Sequence, residues 1–489
     1  MSLFKRLAGQ TAIYGLSSIV GRLLNYLLVP IYTRVFLQAE YGVVTEMFGY
    51  VGFLMIVFTY GMETSFFRYV KDKAYSQKVF STAVISLLVS SVVLMVFFIG
   101  MAQPIANLIQ YPDHPEYIIW FALVLGFDAI ASIPFANLRY ENRPIRFAAI
   151  KMVNIFTNIG LVLFFVVLAP RIADDFAFVQ AIYNPDIRIG YIFLANLAAS
   201  ALTLLLLLPE FKKVRWEFDK VLWKKMFWYA MPLMIAGFAG IVNEMLDRIL
   251  LKYLLPYDLE TNQAHLGVYG ACYKLSILMT LFTQAFRYAA EPFFFAQSIQ
   301  SNAKMVYAVV MRYFVAAGIL IFLGVTFFID IFKILIGENF REGLYIVPIL
   351  LLANLCLGMY YNLSIWYKLT DKTPIGAIIA VIGASITIVL NVLLIPSIGY
   401  LGSAWATLIC YASMVIISYF WSRKYYLIPY EIGRILQYLI IGIGLFLVDK
   451  QLTAMPLGGM VLYGLKVAIL LGYVGFVFWK EKTGRMIPH

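Results

Sequence analysis

Long apolar runs closed by short clusters of charge recur over the whole chain, each about 20 residues long, the length at which a helix crosses roughly 30 Å of hydrocarbon. Within the runs, apolar residues do not alternate with polar ones as the strands of a membrane barrel require. The pattern predicts an all-α polytopic membrane protein of about 14 transmembrane helices. They run over about 11–33, 41–62, 79–101, 117–138, 147–169, 189–208, 228–250, 266–286, 305–329, 343–366, 375–395, 399–421, 433–449 and 459–479. Composition points the same way: 489 residues that are 62% hydrophobic and 13% charged carry more apolar surface than a water-soluble core can hide.

An even number of spans puts both termini on one side, and the loops on that side carry about 25 lysines and arginines, including the basic run at 212–225. The other side carries Arg34, Arg171, Arg188, Lys252, Lys333, Arg341 and Lys450. The bias predicts cytoplasmic termini. It reads the net charge of +12 as orientation and contact with anionic lipid, not nucleic acid. In the opening stretch MSLFKRLAGQTAIYGLSSIVGRLLNYLL, Arg22 and Asn25 interrupt the apolar run and no small-residue cleavage site follows, so it reads as a first membrane helix and not a cleaved signal. Cys272, Cys356 and Cys410 fall inside separate spans, which argues against a disulfide framework or a ligand cluster.

The chain repeats itself. YGMETSFFRYV at 60–70 and YAAEPFFFAQS at 288–298 share a glutamate followed by phenylalanines, with Glu63 and Glu291 228 positions apart. Tyr41-Gly42 and Tyr269-Gly270 open the two runs at the same spacing. IVGRLLNYLL at 19–28 lies over IVNEMLDRIL at 241–250, and ENRPI at 141–145 over DKTPI at 371–375. Matches in one order, with gaps confined to loops, indicate duplication. The expected division is an N-terminal lobe (1–208), a cytoplasmic linker (209–227), a C-terminal lobe (228–421), and two helices outside the repeat (433–480). Six helices per copy relate the lobes by an axis along the membrane normal.

GRLLNYLLVPIYTRVFLQAEYGVVTEMFGYVGFLMIVFTYGMETSFFRYV, residues 21–70, resembles the Wzx-like polysaccharide and oligosaccharide-lipid flippases of the multidrug/oligosaccharidyl-lipid/polysaccharide exporter superfamily. The duplication and the helix count extend that resemblance over the full length. It implies two lobes around a central cavity that opens to alternate sides. In the related lipid II flippases two extra helices border a groove for the polyprenyl tail. The implied cargo is a polyprenyl-diphosphate-linked glycan, an O-antigen, capsule or exopolysaccharide repeat unit, moved from the cytoplasmic to the outer leaflet by a monomer that works beside a polymerase and chain-length machinery. The alternatives are a cation-coupled exporter of small amphipathic compounds, which needs only twelve helices, and a lipid II flippase. A glycan-assembling enzyme needs a large catalytic external loop, and 170–188 is too short.

Charges within spans cost at least about 2.5–3.5 kcal/mol each when exposed to lipid, so they should face protein or water. Ser18, Arg22 and Asn25 share one face of the first helix. The matching seventh helix carries Asn243, Glu244, Asp247 and Arg248, and Glu46 in the second helix matches Lys274 in the eighth. Two readings stand. Arg22, Asn25, Glu46, Glu244, Asp247, Arg248 and Lys274 line a cavity and hold an anionic head group, or they neutralise one another, as Glu244 and Arg248 would at i, i+4. Asp128 either takes up a coupling ion, H+ or Na+, or is an acid satisfied by a neighbouring helix. Glu63, Arg68, Arg287 and Glu291 either close a cytoplasmic gate or fix helix ends by local pairing. Arg68, Arg139, Arg143, Arg146, Lys151, Arg287 and Arg312 form a basic collar that suits either a diphosphate or the orientation rule. No phosphate loop occurs, and His114, His265 and His489 are scattered, so no nucleotide, resident cofactor, metal or catalytic nucleophile is expected.

Overall fold

The computed structural model describes residues 20–21, 23–24, 26–71, 75–456 and 458–483. Nearly half of the first predicted span falls outside them, and its end is the short helix Val29–Val35. Among the described residues, 12 helices are long and apolar enough to cross a membrane, or 13 when one bent pair counts as a single span. They follow the second to fourteenth spans of the hydropathy pattern.

By packing, the chain forms two compact units, Met1–Ile249 and Leu250–His489. The first contains α1 (Gln38–Thr59), α2 (Ser76–Gly100), α3 (Pro115–Tyr140), α4 (Pro144–Val162), α5 (Gly190–Phe211) and most of α6 (Lys220–Leu254). The second contains α7 (Leu259–Leu275), α8 (Ile277–Gln297), α9 (Ala303–Phe327), α10 (Val347–Leu363), α11 (Thr373–Ile398), α12 (Tyr400–Tyr425), α13 (Ile432–Ala454) and α14 (Gly459–Thr483).

Packing divides the chain later than the sequence repeat does, because α6 lies along α1. The Phe53 and Phe238 rings meet edge-on at 5.4 Å, and a Cβ at Gly52 would come within 2.8 Å of the Met245 sulfur. The segment ahead of α6 is bound too: Gln77 donates to the Lys213 carbonyl at 2.6 Å, the Arg215 amide to Ser81 at 2.9 Å, and the Trp223 indole to Ser86 at 2.7 Å. Beneath it, Met62, Phe66, Phe80, Leu87, Ile133 and Met226 form a buried core. Val93, Val96 and Phe97 on α2 and Val389 and Leu393 on α11 are exposed, as expected of faces that meet lipid tails no less apolar than themselves.

Among the described residues, three of the breaks that interrupt the helices stand out. After α1, Tyr60 and Gly61 take left-handed angles (φ 34° and 70°) before the helix Met62–Tyr69. A Cβ at Gly61 would also press to 3.2 Å on the Ala230 carbonyl oxygen, so glycine is required there by both conformation and space. After α4, a π-turn spans Leu163–Leu168 just before Pro170, and widening the turn absorbs the clash and the missing N–H that proline brings. The predicted eighth helix is two pieces, α7 and α8, bent by 52° at Ser276.

Backbone freed at a bend inside a membrane must find partners: the Ser276 hydroxyl donates to the Tyr273 carbonyl at 2.7 Å, and Asn354 of α10 holds the side chains beside it. Its amide group donates to the Leu350 carbonyl at 2.9 Å and to Ser276 Oγ at 3.4 Å, while its Oδ1 accepts from Thr280 at 3.2 Å. Asn354→Leu is expected to lower stability in detergent by about 1–3 kcal/mol. An unchanged melt would show that the bend holds without it.

Candidate functional site

The cavity residues expected from the sequence meet different fates. Arg22 and Asn25 lie outside the described residues. Glu46 is fully buried and accepts hydrogen bonds from Tyr50 at 2.9 Å and from Tyr111. Tyr50 also walls an apolar cavity of about 240 Å³ with Met47, Leu54, Phe98, Phe121 and Leu125. Asp247 and Arg248 are buried, and the Asp247 carboxylate accepts the Arg248 backbone N–H at 2.8 Å. Glu244 is exposed. Lys274, opposite Glu46 in the repeat, is exposed two residues before the bend at Ser276.

Asp128 is met by two neighbours. Ser200 of α5 and Lys151 of α4 stand close enough to act on its carboxylate. The Lys151 ammonium itself sits 4.3 Å from the centre of the Phe135 ring. One turn further along the same helices, Asn154 donates to Thr203 at 2.9 Å, continuing a polar seam among α3, α4 and α5.

The duplicated glutamates make duplicated ion pairs. Glu63 meets Arg139 at 2.5 Å and Glu291 meets Lys368 at 2.8 Å, each within its own unit. The two bonds span 76 and 77 sequence positions, so the repeat carries both partners. Arg68 and Arg287 each lie on a tyrosine face, Tyr229 at 4.6 Å and Tyr361 at 4.8 Å, a cation–π arrangement.

Most of the basic collar is taken up by acids. Glu210, fully buried at the end of α5, faces Arg146 at 2.8 Å, Arg143 at 3.3 Å and Lys213 at 2.6 Å. Lys213 also bridges to Glu141 at 2.8 Å. Burial alone would raise the Glu141 carboxyl, but hydrogen bonds from Lys213 and Asn137 and the charges of Lys213 and Arg143 outweigh it and hold it below its ordinary value of 4.5. Arg312 is buried, not at a mouth: its guanidinium pairs with Glu431 and, at 2.6 Å, with Glu481.

The sequence pattern does not disclose that last cluster, nor a second one. Tyr438 donates to Glu481 at 2.7 Å and Arg434 pairs with Glu431 at 2.9 Å. Two turns into α14, Lys466 is buried, 3.3 Å from Asp449 of α13, and donates to the Phe327 carbonyl at the end of α9 at 2.8 Å. A lysine in the middle of an apolar span was the available signal. Beside the Arg312 cluster, α9 and α14 line an open-sided cavity of about 630 Å³ with Tyr313, Ala317, Leu320, Val474 and Phe478, and with Glu481 and Lys482 at one end. That volume is within the range of pockets that hold small ligands, about 300–1,000 Å³.

Among the described residues, up to thirteen apolar spans in two units define an all-α polytopic membrane protein. The chain belongs to the family described as polysaccharide biosynthesis protein, whose model matches residues 7–297. It is similar to the probable low-salt glycan biosynthesis flippase Agl15 of Haloferax volcanii, 19% identical over 430 residues that cover 86% of this chain and 84% of that one. Among solved structures it resembles the lipid II flippase MurJ in an inward closed conformation, with a TM-score of 0.69, 13% identity, and coverage of 96% of this chain and 99% of that one. It also resembles MATE in complex with MaD3S, with a TM-score of 0.59, 12% identity, and coverage of 86% and 95%. The resemblance to Wzx-like flippases of the exporter superfamily, read from residues 21–70, is borne out.

Proposed function

We propose that the protein is a flippase and not an enzyme, moving a polyprenyl-diphosphate-linked oligosaccharide from the cytoplasmic to the outer leaflet of a bacterial inner membrane by alternating access. The cavity between α9 and α14 is the observation that carries this reading. It is apolar along its length and charged at one end, which suits a hydrocarbon tail leading to a polar head. A small amphipathic drug needs no such accessory groove. Coverage of this chain is also broader by the MurJ fold than by the MATE fold, 96% against 86%, which fits two helices beyond a shared twelve.

In this reading residues 1–208 and 228–421 are the moving lobes joined through 209–227, and 433–480 carry the tail groove. Arg22, Asn25, Glu244, Asp247, Arg248 and Lys274 contact the head group, with Glu46 anchoring the wall behind them. Asp128 takes the coupling ion. Glu63, Arg68, Arg287 and Glu291 order the cytoplasmic ends of their helices. The protein acts as a monomer that hands its cargo to a polymerase and chain-length machinery.

The direct test is reconstitution into vesicles with a fluorescent polyprenyl-diphosphate glycan. Accelerated exposure of the label to an outside quencher is expected, and its absence would remove the assignment. Orientation is tested by cysteine labelling: positions within 111–116 and 175–185 should react from outside and 212–220 should not, and the reverse pattern would invert the topology. Removing residues 433–489, with Arg312→Leu added so that no cation is stranded, should leave an inserted protein that no longer moves long-chain cargo. Undiminished transport by that truncation would favour a substrate without a long tail.

A further inference from the structure

Two helices that lie outside the repeat must be held against the second unit by something other than hydrophobicity, because in lipid an apolar helix gains nothing by leaving the tails. The problem is sharpest for α14, of whose most apolar stretch only 11% is buried. Polar contacts solve it at two levels of α9. At one level, more than two turns into the helix, the Arg312 guanidinium holds Glu431, just ahead of α13, and Glu481, near the end of α14, which is tied in turn to Tyr438. At the other, the Lys466 ammonium meets both Asp449 and the Phe327 carbonyl. That carbonyl is among the last of α9, where unsatisfied C=O groups and the helix dipole favour a cation.

The two clamps are 15 residues apart on α9, about 22 Å at 1.5 Å per residue, so they bracket most of the hydrocarbon layer. Between them the contact is sparse. Tyr473 donates to the Ala316 carbonyl at 3.2 Å, Gly442 of α13 comes so close to Ile319 that a Cβ would overlap it, and beside them lies the 630 Å³ cavity. α13 is therefore pressed onto α9, whereas α14 stands off from it along the cavity, where Ala316 and Ala317 present small side chains.

We infer that the Arg312–Glu431–Glu481 and Lys466–Asp449 clusters are positioning residues that set the stand-off of α14 from α9 and so keep the cavity wide enough for an isoprenoid chain. The inference rests on the flippase reading. The clamps act on the tail and leave the head group to other residues, so they govern discrimination between long and short lipid carriers. Buried charge pairs are poor sources of net stability compared with apolar residues of similar volume; geometry is what they supply here.

The test compares vesicle flipping rates for one diphosphate-sugar head group carried on an undecaprenyl and on a geranyl chain. The double variant Lys466→Met with Asp449→Leu removes one clamp without stranding a charge. Ala317→Phe fills the cavity and touches neither clamp, so it stays informative even where the double variant misfolds. Both are expected to lower the ratio of long-chain to short-chain rates by about tenfold or more, since each methylene that loses its contact weakens binding. A ratio unchanged in Ala317→Phe would show that the cavity holds no tail, and a ratio unchanged in the folded double variant would show that the clamp does not set its width. Either overturns the inference. Failure of the wild-type protein to flip either lipid would instead refute the flippase reading itself.

Discussion

Alanine in place of Glu210 is expected to lower stability by about 3–5 kcal/mol, the usual cost of removing one member of a buried ion cluster. Its carboxylate is fully buried and faces Arg143, Arg146 and Lys213, so the variant leaves three cations converging on a vacancy. Those cations keep unequal access to water: Arg143 is 42% exposed and Arg146 29%. Arg143→Ala is accordingly expected to cost under about 1 kcal/mol, as solvent-exposed pairs do. Thermal unfolding in detergent reads the difference. A melt of Glu210→Ala close to that of Arg143→Ala would mean that water reaches the cluster and that it does not fix the segment leading into α6.

Loss of Arg22 is expected to have the largest effect on transport. If its guanidinium grips the diphosphate, Arg22→Ala should slow flipping by about 10- to 100-fold, the worth of a charge-assisted hydrogen bond, with little change in expression. Arg22→Lys should be impaired but active, because lysine keeps the charge and loses the planar fork. Lys274→Ala should behave like Arg22→Ala, with a small effect on stability because the Lys274 side chain is exposed. Undiminished transport of a diphosphate-linked substrate by Arg22→Ala would end the proposal that this residue binds cargo.

Several features of the candidate site are legible in the amino-acid pattern. The spacing of Glu63 and Glu291 marks two equivalent acids, and both form ion pairs with a base about one span-pair further on. Asp128 is open to a satisfied reading, and Ser200 and Lys151 are its neighbours. The collar is the least legible feature. Arg312 reads from sequence as one more basic residue near a helix end, yet it is buried against Glu431 and Glu481. Its partners are 119 and 169 positions away, beyond the reach of any local pattern.

The sequence by itself determined what depends on solvent and on local chemistry. A run of about 20 apolar residues must be a membrane helix because the hydrocarbon layer tolerates no unpaired backbone, and every described span follows. Duplication also survives in the letters. The tertiary structure alone decided where those helices break and which charges meet. The same 228-residue echo folds differently in its two copies: Gly61 turns the first before Glu63, whereas the second bends earlier, at Ser276, and runs as helix through Glu291. At that bend Asn354, from another helix, pairs with the side chains of Ser276 and Thr280. Apolar periodicity records how much of a helix is greasy, and lipid and protein neighbours satisfy that equally. A buried charge needs particular partners, and only packing brings them within about 3 Å.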